Sequence, residues 1–109
     1  MLLARGDTVI ALDRDEDALA ALSKELGGPV KGMAQGRLHT IVADVADAKD
    51  MEEAATLVAG VYGGRAHALV ACAGVIRPGS LVEQDAEDLA LVMNVNVMGT
   101  VFTTKVTPA

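Results

Sequence analysis

The fold is decided by residues 8–15, which read Thr8-Val9-Ile10-Ala11-Leu12-Asp13-Arg14-Asp15. β-Branched and other apolar residues fill the first five positions, a composition that favours a buried β-strand. Asp15 is a suitable N-cap for a helix, because a short carboxylate accepts hydrogen bonds from the free N–H groups of the first turn. Leucines then recur at helical spacing, at Leu19, Leu22 and Leu26. The pattern predicts a strand that passes directly into a helix, which Gly27-Gly28-Pro29 ends.

The same alternation continues along the chain. Residues 38–43 (Leu38-His39-Thr40-Ile41-Val42-Ala43) predict a second strand, and Asp47 is the expected cap of a second helix. Residues 67–72 (His67-Ala68-Leu69-Val70-Ala71-Cys72) predict a third strand. Strands that are apolar on both faces and alternate with helices indicate a parallel sheet. We therefore expect an α/β fold, a partial doubly wound (Rossmann-like) sheet of three strands.

A long helix is predicted to close the chain. Asp85 with Asp88 three residues later resembles a capping box, which marks a helix start. Helical spacing continues through Leu89, Val92 and Met93, and Pro108 is expected to end the helix near Thr107.

Composition limits the classes of function. The 109 residues carry 9 Lys and Arg against 15 Asp and Glu, a net charge of −6, and this acidity argues against nucleic-acid binding. The length suits one domain over residues 1–109. The longest apolar stretch, residues 89–102, contains Asn94 and Asn96, so no membrane span is expected. The single cysteine, Cys72, fits the reducing cytoplasm.

Acidic and glycine residues follow the predicted strands. Ligands of open parallel sheets bind beyond the carboxyl ends of the strands, where we expect Asp13, Asp44 and Gly74. A carboxylate such as Asp13 accepts two hydrogen bonds from a ribose diol and favours NAD, whereas Arg14 leaves NADP open because it can neutralise a 2′-phosphate. The alternative is that Asp13 and its acidic neighbours merely begin and cap the helix.

Four motifs in this order resemble the short-chain dehydrogenase/reductase family over essentially the whole chain. They are Asp13-Arg14, Ala43-Asp44-Val45, Ala71-Cys72-Ala73-Gly74 and Asn96-Val97-Met98-Gly99. Only 12 residues precede Asp13, so we expect the family's phosphate-binding glycine turn before residue 1, and its catalytic Ser, Tyr and Lys after Ala109. Tyr62, the only tyrosine, is expected in the core instead.

The resemblance implies a role for each matched position and implies no metal site. Asp13 and Arg14 would meet the adenosine ribose, while Asp44 would bind the adenine amine and Val45 would flank the ring. Residues 71–74 would pass close to the cofactor, where Gly74 has no Cβ in the way. Ala71 and Cys72 replace two asparagines of the family's turn, and Ala73 matches its alanine. Asn96 is the catalytic candidate, matching an asparagine that disturbs the long helix and helps hold a water of the proton relay.

The implied activity is NAD- or NADP-dependent hydride transfer between nicotinamide and a small alcohol or ketone, with this chain inactive alone. The family commonly associates through the long helix, so a homo-oligomer is a further expectation. One alternative is a receiver-like signalling domain in which Asp44 accepts phosphate and Lys105 senses it. Few residues separate Asp13 from Asp44 in the sequence, however, for the strands, helix and loops that this fold needs between them. A second alternative is a non-catalytic remnant that serves as an interaction fragment.

Overall fold

The computed structural model describes residues 2–26, 37–61 and 66–107. The chain divides into two compact units, a first unit of Met1–Ala43 and a second unit of Asp44–Ala109. The first unit contains a short 3-10 turn (Leu3–Arg5), β1 (Thr8–Asp13), α1 (Glu16–Leu26) and β2 (Arg37–Val42). The second contains α2 (Ala48–Val61), α3 (Ala86–Met93), a π-helical turn (Asn94–Met98) and α4 (Gly99–Val106).

The first unit is a strand–helix–strand motif. β1 and β2 pair in parallel, with a register that runs from Thr8 opposite Arg37 to Asp13 opposite Val42. The predicted cap of α1 is confirmed, because Asp15 Oδ1 accepts a hydrogen bond from Ala18 N–H at 3.0 Å. α1 packs on both strands and buries Leu19. The segment 27–29, predicted to end this helix, lies outside the described residues.

In the second unit, α2 begins where the sequence places it. Asp47 Oδ1 accepts from Lys49 N–H at 2.9 Å and from Asp50 N–H at 3.2 Å. Met51 and Ala54, one turn apart, are buried, and α2 packs against α4. The expectation that Tyr62 belongs to the core lies outside the described residues.

The predicted third strand is not confirmed. Among the described residues 66–107, no segment forms a strand ladder, so the sheet has two strands rather than three. Val70 is 74% exposed, and Leu69 is exposed as well. A β-strand is defined by the hydrogen bonds it makes to a neighbour, and apolar composition alone does not provide that neighbour.

The predicted long helix is confirmed as one run of helical residues, Ala86–Val106. Asp85 caps it, because its side chain accepts from Asp88 N–H at 2.9 Å. A π-helical turn over Asn94–Met98 interrupts the α-helical hydrogen bonding, and Gly99 N–H donates to Asn94 O. The predicted helix end at Pro108 lies outside the described residues, but α4 ends at Val106.

This long helix is also 21 residues long and apolar enough, by length and composition alone, to cross a membrane. No such segment was predicted from the sequence, because Asn94 and Asn96 lie within the longest apolar stretch, residues 89–102. A single helix of this kind is weak support for a membrane span, since core helices of water-soluble proteins meet the same criterion.

Candidate functional site

Asp13 and Arg14 lie at the carboxyl end of β1 in the first unit, as predicted. Asp13 O accepts from Ala43 N–H at 3.0 Å, which extends the pairing of the two strands by one residue beyond Val42. Asp13 Oδ1 accepts from Asp15 N–H at 3.0 Å. This bond fixes the carboxylate at the start of the turn and leaves Oδ2 without a hydrogen bond from the described residues. Both side chains are exposed and can reach a ligand.

Asp44, the first residue of the second unit, is held by three hydrogen bonds. Its N–H donates to Asp50 Oδ2 at 3.0 Å, its Oδ1 accepts from Ala46 N–H at 2.9 Å, and its carbonyl accepts from Asp47 N–H at 2.9 Å. Asp44 is half-buried. Among the described residues, no hydrogen bond reaches Oδ2, so one carboxylate oxygen on a fixed turn is free to accept from a ligand.

Val45 is fixed by the long helix. A Cβ built on Gly99 would lie 2.7 Å from Val45 Cγ2 and 3.2 Å from Val45 Cβ, so only glycine permits this approach. Gly99 is buried. Val45 was expected beside a ligand and Gly99 within a motif, but the packing of the two residues against each other was not predicted.

The segment of residues 71–74 is exposed throughout, which suits contact with a ligand. Gly74 does not have the positive φ that would require glycine, since the described glycines with positive φ are Gly6 and Gly79. A Cβ on Gly74 would make only an ordinary contact, 3.5 Å from Asn96 Oδ1. The described part of the chain therefore gives no reason of its own for glycine at this position.

Asn96 lies in the π-helical turn and holds the chain just after Gly74. Its Oδ1 accepts from Val75 N–H at 2.8 Å, and its Nδ2 donates to Val75 O at 2.9 Å. The side-chain amide thus pairs with one backbone residue through both of its polar atoms, as a neighbouring strand would. The structure therefore brings the third and fourth motifs of the sequence together within the second unit.

Two residues of this arrangement, Val75 and Asp50, were not predicted from the sequence. Val75 contributes only backbone atoms, so no side-chain pattern could reveal it. Asp50 offered a signal, because an acidic residue three positions after the cap Asp47 is the spacing of a capping box. In this structure, however, the Asp50 side chain reaches back beyond Asp47 to Asp44.

The geometry agrees with comparisons to known proteins. The family model for the short chain dehydrogenase matches residues 1–108. The chain belongs to the short-chain dehydrogenase family. The π-helical turn at Asn96 also agrees with the disturbed helix that the resemblance to this family implied. No curated protein matches the chain significantly.

Solved structures support the family and the fold. A short-chain dehydrogenase from Streptomyces avermitilis is 29% identical with a TM-score of 0.78, and the match covers 94% of this chain and 35% of that one. A glucose/ribitol-type short-chain dehydrogenase/reductase from Brucella melitensis is 26% identical with a TM-score of 0.83, over 97% of this chain and 42% of the other. An alcohol dehydrogenase from Thermococcus sibiricus, complexed with 5-hydroxy-NADP, is 25% identical with a TM-score of 0.84, over 96% and 43%.

These neighbours confirm the α/β, Rossmann-like fold class. The chain spans less than half the length of each of these three short-chain dehydrogenase structures. The family is one of oxidoreductases, whereas the receiver-like alternative finds no support. Among the described residues, no group of three or more His, Cys, Asp and Glu side chains could hold a metal ion.

Proposed function

We propose that this chain supplies the adenosine-binding part of a nicotinamide-dependent oxidoreductase that acts on an alcohol or ketone. The observation that carries the proposal is the hydrogen bonding of the Asp44 carboxylate. This carboxylate is fixed through Oδ1, while no described residue donates a hydrogen bond to Oδ2, on the residue that the family resemblance assigns to the adenine amine. A carboxylate that needs no rearrangement to accept a hydrogen bond loses little conformational entropy when the ligand binds.

The exposed residues at the end of β1 fit the ribose. Oδ2 of Asp13, which no described residue bonds, can accept from a ribose hydroxyl, and the exposed Arg14 is available to a 2′-phosphate. The Thermococcus sibiricus alcohol dehydrogenase structure holds an NADP analogue. For this chain, we propose that Asp13 and Arg14 together set the preference between NAD and NADP.

The open segment at residues 71–74 fits the close approach of a cofactor. Glycine at position 74 is not explained by the chain's own backbone, and a bound group that passes close to it would explain it. Asn96 holds the residue that follows, Val75, and would in this way keep the segment in position. The nicotinamide would supply hydride chemistry when bound, and the residues of this chain would bind and orient it.

Substitution at the end of β1 tests the proposal. Asp13→Ala removes the acceptor for the ribose diol, and loss of a hydrogen bond to a charged group costs about 1.5–3 kcal/mol, or roughly 10- to 100-fold in Kd for NADH. Arg14→Ala is expected to weaken the binding of NADPH by a similar factor and the binding of NADH much less. Asp17→Ala, an exposed acidic residue in the first turn of α1, is the matched control and should change neither.

Binding is measured by fluorescence titration of the full chain with NADH and with NADPH. Equal effects of Asp13→Ala and Asp17→Ala would show that Asp13 only begins the helix. Absence of binding to both cofactors, together with magnesium-dependent acyl-phosphate labelling of Asp44, would favour the receiver-like alternative.

A further inference from the structure

Asp50 makes a hydrogen bond that its place in the helix does not explain. It is the third residue of α2, where an acidic side chain normally returns to the N–H of the cap residue. Here the cap residue is Asp47, and its N–H already donates to Asp44 O at 2.9 Å. Within the first turn, Asp47 Oδ1 accepts from the N–H groups of Lys49 and Asp50. The Asp50 carboxylate is therefore not needed to begin its own helix.

The Asp50 side chain instead reaches six residues back. Its Oδ2 accepts from Asp44 N–H at 3.0 Å, in a half-buried position. A charge-assisted bond of this kind is about twice as strong as one between neutral groups, and partial burial lessens its competition with water. The next residue, Met51, is 3% exposed, so Asp50 is carried on a part of α2 that is anchored by packing.

This bond completes the set that fixes Asp44. The carbonyl is held by Asp47 and Oδ1 by Ala46, both through local backbone N–H groups. Without Asp50, the Asp44 N–H would lose its partner, and the backbone at Asp44 would lose one of the hydrogen bonds that fix it. The direction of the free Oδ2 depends on that backbone.

We infer that Asp50 is a positioning residue that aims the Asp44 carboxylate at the amino group of a bound adenine and so sets the preference for adenine over other bases. This inference rests on the proposed function. Asp50 itself does not touch the ligand. Its effect is to make the carboxylate selective for a 6-amino group, a hydrogen-bond donor, against the 6-oxo group of hypoxanthine, an acceptor that would face the carboxylate.

The test compares NADH with its reduced hypoxanthine analogue on the full chain. The unchanged protein should bind NADH about tenfold more tightly, as expected when one charge-assisted hydrogen bond is lost. In Asp50→Ala, this ratio should fall to about threefold or less, because the carboxylate is no longer held in one direction. Asp50→Asn keeps an acceptor oxygen and should retain most of the ratio.

Glu53→Ala is the matched control, because Glu53 is an exposed acidic residue one turn further along α2. It should leave the ratio unchanged. A variant that only loses stability lowers the folded fraction and weakens both ligands equally, so the ratio separates positioning from folding. The Asp44 amide proton, followed by NMR hydrogen exchange, should lose protection in Asp50→Ala and keep it in Glu53→Ala.

The two possible failures can be told apart. If the unchanged protein prefers NADH and Asp50→Ala keeps the full preference, the positioning role is wrong and the proposed function stands. If the unchanged protein binds neither ligand, or binds both equally, the proposed function fails and the inference falls with it.

Discussion

Gly99 and Gly60 are two helical glycines with opposite surroundings, and this contrast gives a sharp test of the structure. A Cβ on Gly60, in α2, would meet nothing within 4 Å, whereas one on Gly99 would lie 2.7 Å from Val45 Cγ2. Alanine is favoured over glycine in a helix by about 1 kcal/mol. Gly60→Ala should therefore raise the free energy of unfolding by roughly 0.5–1 kcal/mol, less if the helix end frays.

Gly99→Ala gains the same helix propensity but forces a methyl group into Val45. Overpacking of this kind costs about 1–3 kcal/mol, so the net loss is about 0–2 kcal/mol. The two variants should thus differ by roughly 1–3 kcal/mol, with Gly99→Ala the less stable. Urea unfolding, followed by circular dichroism, measures this difference directly.

A second substitution tests whether the clash with Val45 causes the lower stability of Gly99→Ala. Val45→Ala removes the methyl groups that a Cβ on residue 99 would meet, so adding it to Gly99→Ala should recover stability. The coupling between the two substitutions should be about 1 kcal/mol or more, as for other residues in direct contact. If Gly99→Ala is as stable as Gly60→Ala, or if the two sites prove additive, the packing of Val45 on the long helix is refuted.

Two further substitutions test the second unit. Asn96→Leu removes both hydrogen bonds to Val75 and should lower the free energy of unfolding by about 1–3 kcal/mol. The control Asn94→Leu, at an exposed residue in the same turn, should change it by no more than about 0.5 kcal/mol. Equal thermal midpoints for the two variants would contradict this expectation. Asp85→Ala removes the cap of the long helix and should lower the free energy of unfolding by about 1 kcal/mol, whereas Asp85→Asn keeps an acceptor for the Asp88 N–H. Helix content, measured by circular dichroism, should therefore fall in Asp85→Ala and not in Asp85→Asn.

The helix starts are the part of the fold that the sequence predicts best. The Asp15, Asp47 and Asp85 caps were all predicted, because a cap depends on a short carboxylate and on the few residues that follow it. The strand at residues 8–13 was predicted for a similar reason, since its β-branched composition is local. The third strand, at residues 67–72, was also predicted but is not confirmed, because pairing depends on a neighbour that the segment itself does not encode.

The candidate site was likewise predictable only in part. The positions of Asp13 at the end of β1 and of Asp44 just after β2 follow from chain order. A disturbance of the long helix at Asn96 was expected only from the family resemblance, and its π-helical form was not predicted, since propensity does not separate it from the α-helix around it. The contacts that give these positions their geometry, Asn96 with the Val75 backbone and Asp50 with the Asp44 N–H, join residues 21 and 6 positions apart. No local pattern in the sequence specifies either pairing.

The central claim is that Asp13, Asp44 and the residues 71–74 bind a nicotinamide cofactor, the first two at its adenosine part. Titration of the isotope-labelled full chain with NADH and NADPH, followed by backbone amide NMR shifts, tests it directly and detects even weak binding. The account predicts saturable shifts at Asp13 and Arg14, at Asp44 and Val45, and at residues 71–75. Saturable shifts confined to other surfaces, such as the exposed face of α2, or no shifts at all, would contradict it.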